Sequence, residues 1–131
     1  TAEKVLIHDG ARPLVDGDTI ERVAKGLDRF SAVTCAVPIV DTVKRVDGKG
    51  QVTETLRRDG LVSVQTPQGV RVADYKSALK KAGDLSAFTD DTSIMENAGF
   101  NVLTVMGSRD NIKITTKRDI SFAESLLEDR V

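Results

Sequence analysis

The stretch Val5-Leu6-Ile7-His8-Asp9-Gly10-Ala11-Arg12-Pro13 constrains this chain most. Three branched apolar residues run without polar alternation into a turn signal. That pattern predicts a short strand, 5–7, buried on both faces of a parallel sheet. Gly10 relaxes the backbone, and Pro13 removes a donor and drives Arg12 toward an extended conformation, so the strand must stop there. One carboxylate, Asp9, and one guanidinium, Arg12, are thereby placed past the carboxyl end of a strand. In open α/β sheets that edge is where ligands bind. A plain loop cap would use the same residues, so the remainder of the chain has to decide.

Taken in order, the chain alternates strand and helix signals. Asp18-Thr19-Ile20-Glu21 reads as a capping box, and Ile20, Val23, Ala24 and Leu27 follow at helical spacing, predicting a helix over 19–29. Residues 32–37 form an apolar run stopped by Pro38. Val40, Thr42, Lys44 and Val46, a turn at Asp47-Gly48-Lys49-Gly50, and strand-like residues 52–56 predict a hairpin that is polar on both sides. A lone hairpin is marginal in water and needs a surface to pack on, a partner subunit being one candidate. A short strand, 61–64, then ends in Gln65-Thr66-Pro67-Gln68-Gly69. A helix over 71–82 is closed by Gly83. A second, 92–98, is capped by Asp91 or Thr92 and stopped by Gly99. Strands are expected at 101–106 and 111–115, and a last helix starts at the cap Thr116 with Asp119 at N3. This alternation predicts an α/β layered fold in a single domain.

Composition excludes several classes. A net charge of −1 gives no basic field for nucleic acid or an anionic membrane. Aromatic residues are only 4%, too few for base-stacking platforms. One cysteine, Cys35, forbids an intrachain disulfide and fits a reducing compartment, so a cytoplasmic location is the expectation. One histidine, His8, and one cysteine make a His/Cys metal site a poor reading. There is no signal peptide and no apolar run near membrane-spanning length. No nucleophile elbow is present, and none of the ten glycines builds a phosphate cradle of the dinucleotide or P-loop type. What remains are cations and hydroxyls at strand ends and loops: Arg12, Thr42, Arg58, Thr66, Thr89 and Lys113. That set suits an anionic ligand such as a phosphate, with Asp9 available for a metal or a hydroxyl.

Six motifs in this order resemble one family. They are His8-Asp9-Gly10-Ala11-Arg12-Pro13, Asp41-Thr42-Val43-Lys44-Arg45, Arg58-Asp59-Gly60-Leu61, Gln65-Thr66-Pro67-Gln68, Thr89-Asp90-Asp91 and Asn111-Ile112-Lys113-Ile114-Thr115. Together they are similar to the 2-C-methyl-D-erythritol 4-phosphate cytidylyltransferases of non-mevalonate isoprenoid synthesis. One departure is Gly10, where the family commonly has Ala. The resemblance implies a Rossmann-like layered nucleotidyltransferase sheet with a projecting β-arm, residues 39–60, used in dimerisation. It implies a transferase that moves CMP from CTP to 2-C-methyl-D-erythritol 4-phosphate and releases pyrophosphate. Mg²⁺ or another divalent cation would assist, with Asp9 as a metal ligand. Asp9 and Lys113 would be catalytic. Asp9, Arg12, Thr42, Arg58, Thr66, Thr89 and Lys113 would bind substrate, with Thr42 and Arg58 serving the neighbouring subunit's site across a homodimer. It also implies that a Gly-rich CTP loop belongs upstream of Thr1. The chemistry agrees: a phosphate monoester is already an anionic nucleophile, so charge neutralisation and positioning replace a general base. The alternatives are a cytidylyltransferase for another polyol phosphate such as ribitol 5-phosphate, a dimerising sugar-phosphate-binding piece without turnover, and a bifunctional parent with a cyclase domain after Val131.

Overall fold

The computed structural model describes residues 1–130. A mixed four-stranded sheet is its centre, in the order β1-β5-β2-β6. The strands are β1 (Lys4–Ile7), β2 (Ala32–Pro38), β5 (Val62–Arg71) and β6 (Val102–Met106). β2 and β6 are parallel, while β5 runs antiparallel to both β1 and β2. The carboxyl ends of β1, β2 and β6 therefore share one edge. β1 corrects the expectation of a parallel strand buried on both faces. It lies at the rim of the sheet against an antiparallel neighbour, and Val5 is 39% exposed. An unbroken apolar run signals contact on both faces but cannot say whether the strand is central. The run 32–37 does carry that signal through: all six residues are buried.

Helices cover both faces. α1 (Gly17–Gly26) lies on one, where Val23 and Leu27 pack on Val33 and Cys35. α2 (Val72–Ala82) and α3 (Asp91–Asn97) lie on the other, where Ala78, Ile94 and Met95 pack on Ala32 and Val70. Alternate residues of β2 thus feed opposite cores, as the period of a strand requires. Gly69 lets α1 approach β5: a Cβ there would meet Leu27 Cδ1 at 2.8 Å and Val23 Cγ1 at 2.9 Å. A short 3-10 turn, Leu85–Ala87, precedes α3. α4 (Lys117–Glu128) closes the chain with the expected capping box, Thr116 with Asp119.

Three further boundaries differ from the sequence reading. α1 is capped by Asp16, not Asp18; the Asp16 carboxylate accepts from Thr19 N at 2.6 Å. α3 is capped by Asp90, in a box with Ser93, not by Asp91 or Thr92. β5 does not end at residue 64 but runs to Arg71, through Pro67. Proline is tolerated in this central strand because the ladder to β2 skips there: Thr34 pairs with Gln68 but Ala36 with Val64, leaving residues 65–67 bulged. The predicted hairpin is present as β3 (Lys44–Val46) and β4 (Val52–Thr55), a separate two-stranded sheet with every residue exposed. Asp47 Oδ1 accepts from Lys49 N and Gln51 N and fixes its turn.

Candidate active site

The loop after β1 and the loop after β6 meet at the shared carboxyl edge. Arg12 Nη1 donates to the Asn111 carbonyl at 2.7 Å, and Ile114 N donates to the Ala11 carbonyl at 2.8 Å. These bonds correct the expectation of a strand over 111–115. The segment spends its backbone groups on another loop and on a guanidinium, and it stays irregular. Asn111 is fully buried; its Nδ2 donates to the Thr66 carbonyl at 2.8 Å and reaches Gln65 Oε1 at 3.4 Å. Its Oδ1 is the one buried side-chain oxygen without a partner among the described residues. Gln65 in turn donates to the Ser108 carbonyl at 2.8 Å. The bulge of β5 is thus an anchor for the loop that carries Lys113.

A cleft of about 340 Å³ opens at this edge, lined by Asp9, Arg12, Thr66, Thr89 and Lys113 together with Val64, Gln65, Gln68, Asp90 and Asp91. Asp9 Oδ2 stands 3.4 Å from Arg12 Nε and 3.3 Å from Lys113 Nζ. Arg12 is largely buried, whereas Lys113 is half exposed and can turn toward a ligand. Thr66 Oγ1 accepts from Asp9 N at 3.0 Å and lies 2.9 Å from His8 Nδ1. His8 Nε2 lies 2.8 Å from the Arg12 carbonyl, which can only accept, so this nitrogen carries the proton in the neutral ring. Nδ1 is then an acceptor for the Thr66 hydroxyl. His8 therefore orients Thr66 and leaves no free ring nitrogen to serve as a general base.

The far wall is built differently. Gln68 Nε2 donates to Asp90 Oδ2 at 2.9 Å, Thr92 Oγ1 donates to the same oxygen at 3.0 Å, and Ser93 N donates to Oδ1 at 2.8 Å. Burial pushes the Asp90 carboxyl up, but these donors outweigh it and hold the group below the usual carboxylate range. Asp91 accepts from Tyr75 OH at 2.6 Å. Burial, then this bond to a carboxylate, pushes the Tyr75 phenol up to about 12.

Of the residues named from the sequence, Asp9, Arg12, Thr66, Thr89 and Lys113 come together in the cleft. Thr42 and Arg58 do not line it. Both are exposed on the arm and at its base, where Arg58 donates to the Val40 carbonyl. Gln68, Asp90, Asp91, Tyr75 and Asn111 were not singled out as site residues, although four of them stand in the quoted motifs. No local pattern marks the two amides: Gln68 lies inside β5 and Asn111 in a loop, and their partners are far away in sequence.

The sequence matches the IspD, 2-C-methyl-D-erythritol 4-phosphate cytidylyltransferase, family over residues 1–129. It is 48% identical to the bifunctional enzyme IspD/IspF of Rhizobium rhizogenes, over 94% of this chain and 31% of that protein. It is 42% identical to the 2-C-methyl-D-erythritol 4-phosphate cytidylyltransferase of Thermosynechococcus vestitus, over 99% of this chain and 56% of that one. The chain thus spans about a third to about half of the length of these relatives. Its fold superposes on the crystal structure of 2-C-methyl-D-erythritol 4-phosphate cytidylyltransferase from Thermus thermophilus with a TM-score of 0.83, at 30% identity and covering 96% of this chain and 62% of that one. The Francisella tularensis structure of the same name gives 0.84 at 36% identity, covering 92% and 58%. With a charged cleft at the carboxyl edge of an α/β sheet and a match along almost its whole length, the chain belongs to the 2-C-methyl-D-erythritol 4-phosphate cytidylyltransferase family.

Proposed function

We propose that the protein carrying this chain transfers CMP from CTP to 2-C-methyl-D-erythritol 4-phosphate. The observation that carries the reading is the Asp9 carboxylate held between Arg12 and Lys113 in a polar cleft. A sugar phosphate is already an anion near neutral pH. Its oxygen attacks the α-phosphorus of CTP, a new P–O bond forms, the bond to the bridging oxygen breaks, and pyrophosphate leaves. The difficulty is electrostatic: two anions must be brought together while charge shifts to the leaving group. Lys113 supplies a mobile positive charge, Arg12 a fixed one, and Asp9 sets the geometry of both. Thr66 and Thr89 supply hydroxyls for the sugar phosphate.

A divalent cation, Mg²⁺ or another, belongs to this proposal. When bound it would offset charge on the triphosphate. Among the described residues no three His, Cys, Asp or Glu side chains are grouped to hold a metal. The single carboxylate proposed here, Asp9, fits Mg²⁺, which takes one or two carboxylates and completes its shell with water and phosphate oxygens. Both cation contacts of Asp9 fall on Oδ2, which leaves Oδ1 for such a role.

The arm, residues 39–60, is proposed to pair with a second subunit and bring Thr42 and Arg58 to its site. Support comes from an isolated two-stranded sheet whose Val46 and Val52 are 56% and 55% exposed. A cytoplasmic location fits the single free, buried Cys35. No helix among the described residues is long and apolar enough to cross a membrane. The test is turnover by the full-length protein with CTP and each polyol phosphate. Pyrophosphate release with 2-C-methyl-D-erythritol 4-phosphate, and little with ribitol 5-phosphate, is expected. The reverse preference overturns the substrate assignment.

A further inference from the structure

A cleft that takes phosphates is an unexpected place for three carboxylates, yet Asp9, Asp90 and Asp91 all line it. Asp9 is matched by two cations. Asp90 and Asp91 are not: among the described residues neither forms an ion pair, and each is held by uncharged donors instead. Thr92 and Ser93 are neighbours within the same turn, so they cap Asp90 wherever that turn goes. Among the described residues, Gln68 is the one donor to Asp90 from elsewhere in the fold.

Gln68 is 1% exposed and uses all of its carboxamide. One Nε2 hydrogen goes to Asp90 Oδ2 at 2.9 Å, the other to Thr34 Oγ1 at 3.1 Å, and Oε1 accepts from Thr92 N at 3.2 Å. The amide has one sensible orientation, because turning it over would set its carbonyl against the Asp90 carboxylate. It spans from β2 through β5 to the first residues of α3. We propose that Gln68 is a positioning residue for the phosphate site: it draws the Asp90 carboxylate into the protein, away from incoming anions, and thereby fixes the turn that presents Thr89 to the cleft. This rests on the phosphate-transfer reading above.

The variant Gln68→Glu keeps the shape and replaces the donor by an acceptor. At pH 8 the introduced carboxylate would face that of Asp90, and the turn at 89–91 should be expelled. On acidification the two carboxyls can share one proton, which restores a donor between them. Other charged groups facing this point are Asp91 with Tyr75 from the helical side, and Asp9, Arg12 and Lys113 across the cleft; comparison with wild type at each pH removes their contribution. In the full-length protein, Gln68→Glu should raise KM for the sugar phosphate roughly tenfold or more at pH 8, with a smaller change in kcat, and the ratio to wild type should fall toward one by pH 6. Gln68→Met, which brings no charge into the interior, should raise KM without that recovery, and it carries the test if the Glu variant does not fold.

A merely structural role would lower the amount of active protein, and so kcat, rather than raise KM selectively. Wild-type KM in Gln68→Met, or a defect in Gln68→Glu that ignores pH, overturns the proposal. Absence of turnover in the wild-type protein instead overturns the reaction assigned above. Amide hydrogen exchange at residues 89–93 then decides alone: protection lost in Gln68→Glu at pH 8 and regained at pH 6, relative to wild type, supports the strut, and unchanged protection refutes it.

Discussion

Asp9 is a carboxylate whose two cationic neighbours differ in freedom. Arg12 is pinned by the Asn111 carbonyl, while Lys113 is half exposed. Removing the mobile charge should therefore cost chemistry and leave the fold alone. In the full-length protein, Lys113→Ala should lower kcat/KM by on the order of 10²-fold, with an unchanged melting temperature. Asp9→Asn keeps the shape and removes the charge, so turnover should fall across a Mg²⁺ titration; normal kinetics at every Mg²⁺ concentration would reduce Asp9 to a loop residue. That Asp9, Arg12, Thr89 and Lys113 would gather at one edge was legible in the sequence because they sit in loops beside element ends; Thr66 proves to lie in the bulge of β5. Gln68 and Asn111 were not legible. Their value lies in partners 22 to 46 residues away, and nothing local marks an amide that will be buried.

Helix caps show the same limit one level up. The spacing of Ile20, Val23 and Leu27 announced α1 and the capping-box pattern pointed to Asp18, but the structure caps the helix with Asp16. Only the chain's path out of the β1 loop selects Asp16. Asp16→Ala should cost about 1 kcal/mol, measured by denaturant unfolding, whereas Asp18→Ala should cost little. Burial raises the Asp16 carboxyl, but the bonds from Thr19 outweigh it; at Asp119 the amides of Thr115 and Thr116 lower the carboxyl outright. Both groups, like Asp90, titrate below their ordinary values in the folded chain. Their contribution is thus complete at neutral pH and is lost as pH falls through those lowered values, below about pH 4. Acid unfolding of Asp16→Ala should accordingly begin at higher pH than that of wild type. β5 was the least legible element, since Pro67 in a central strand argues against a strand unless a bulge is foreseen.

At the scale of the whole molecule, the arm stands apart from both cores and carries Thr42 and Arg58 away from the cleft. If the arm serves a second subunit, two inactive full-length variants, Arg58→Ala and Lys113→Ala, should complement. At statistical exchange about half of the dimers are mixed, and each has one site with both lesions and one with neither, so activity should return to about a quarter of wild type. No recovery despite demonstrated subunit exchange would place each site within one chain. The layered α/β order was readable from alternating periodicities; the insertion of antiparallel β5 between β1 and β2 was not, because strand order is decided by packing over long separations. The cleft has the same origin. Arg12 meets Asn111 across 99 residues, and Arg130 reaches the Leu14 carbonyl across 116. Closing loops of that span is slow and costs entropy before any contact rewards it. The cleft is therefore a seam between segments far apart in sequence, and a phosphate lodged between Asp9's cations would act as a clasp on that seam, slowing the first opening of the molecule more than it speeds its assembly.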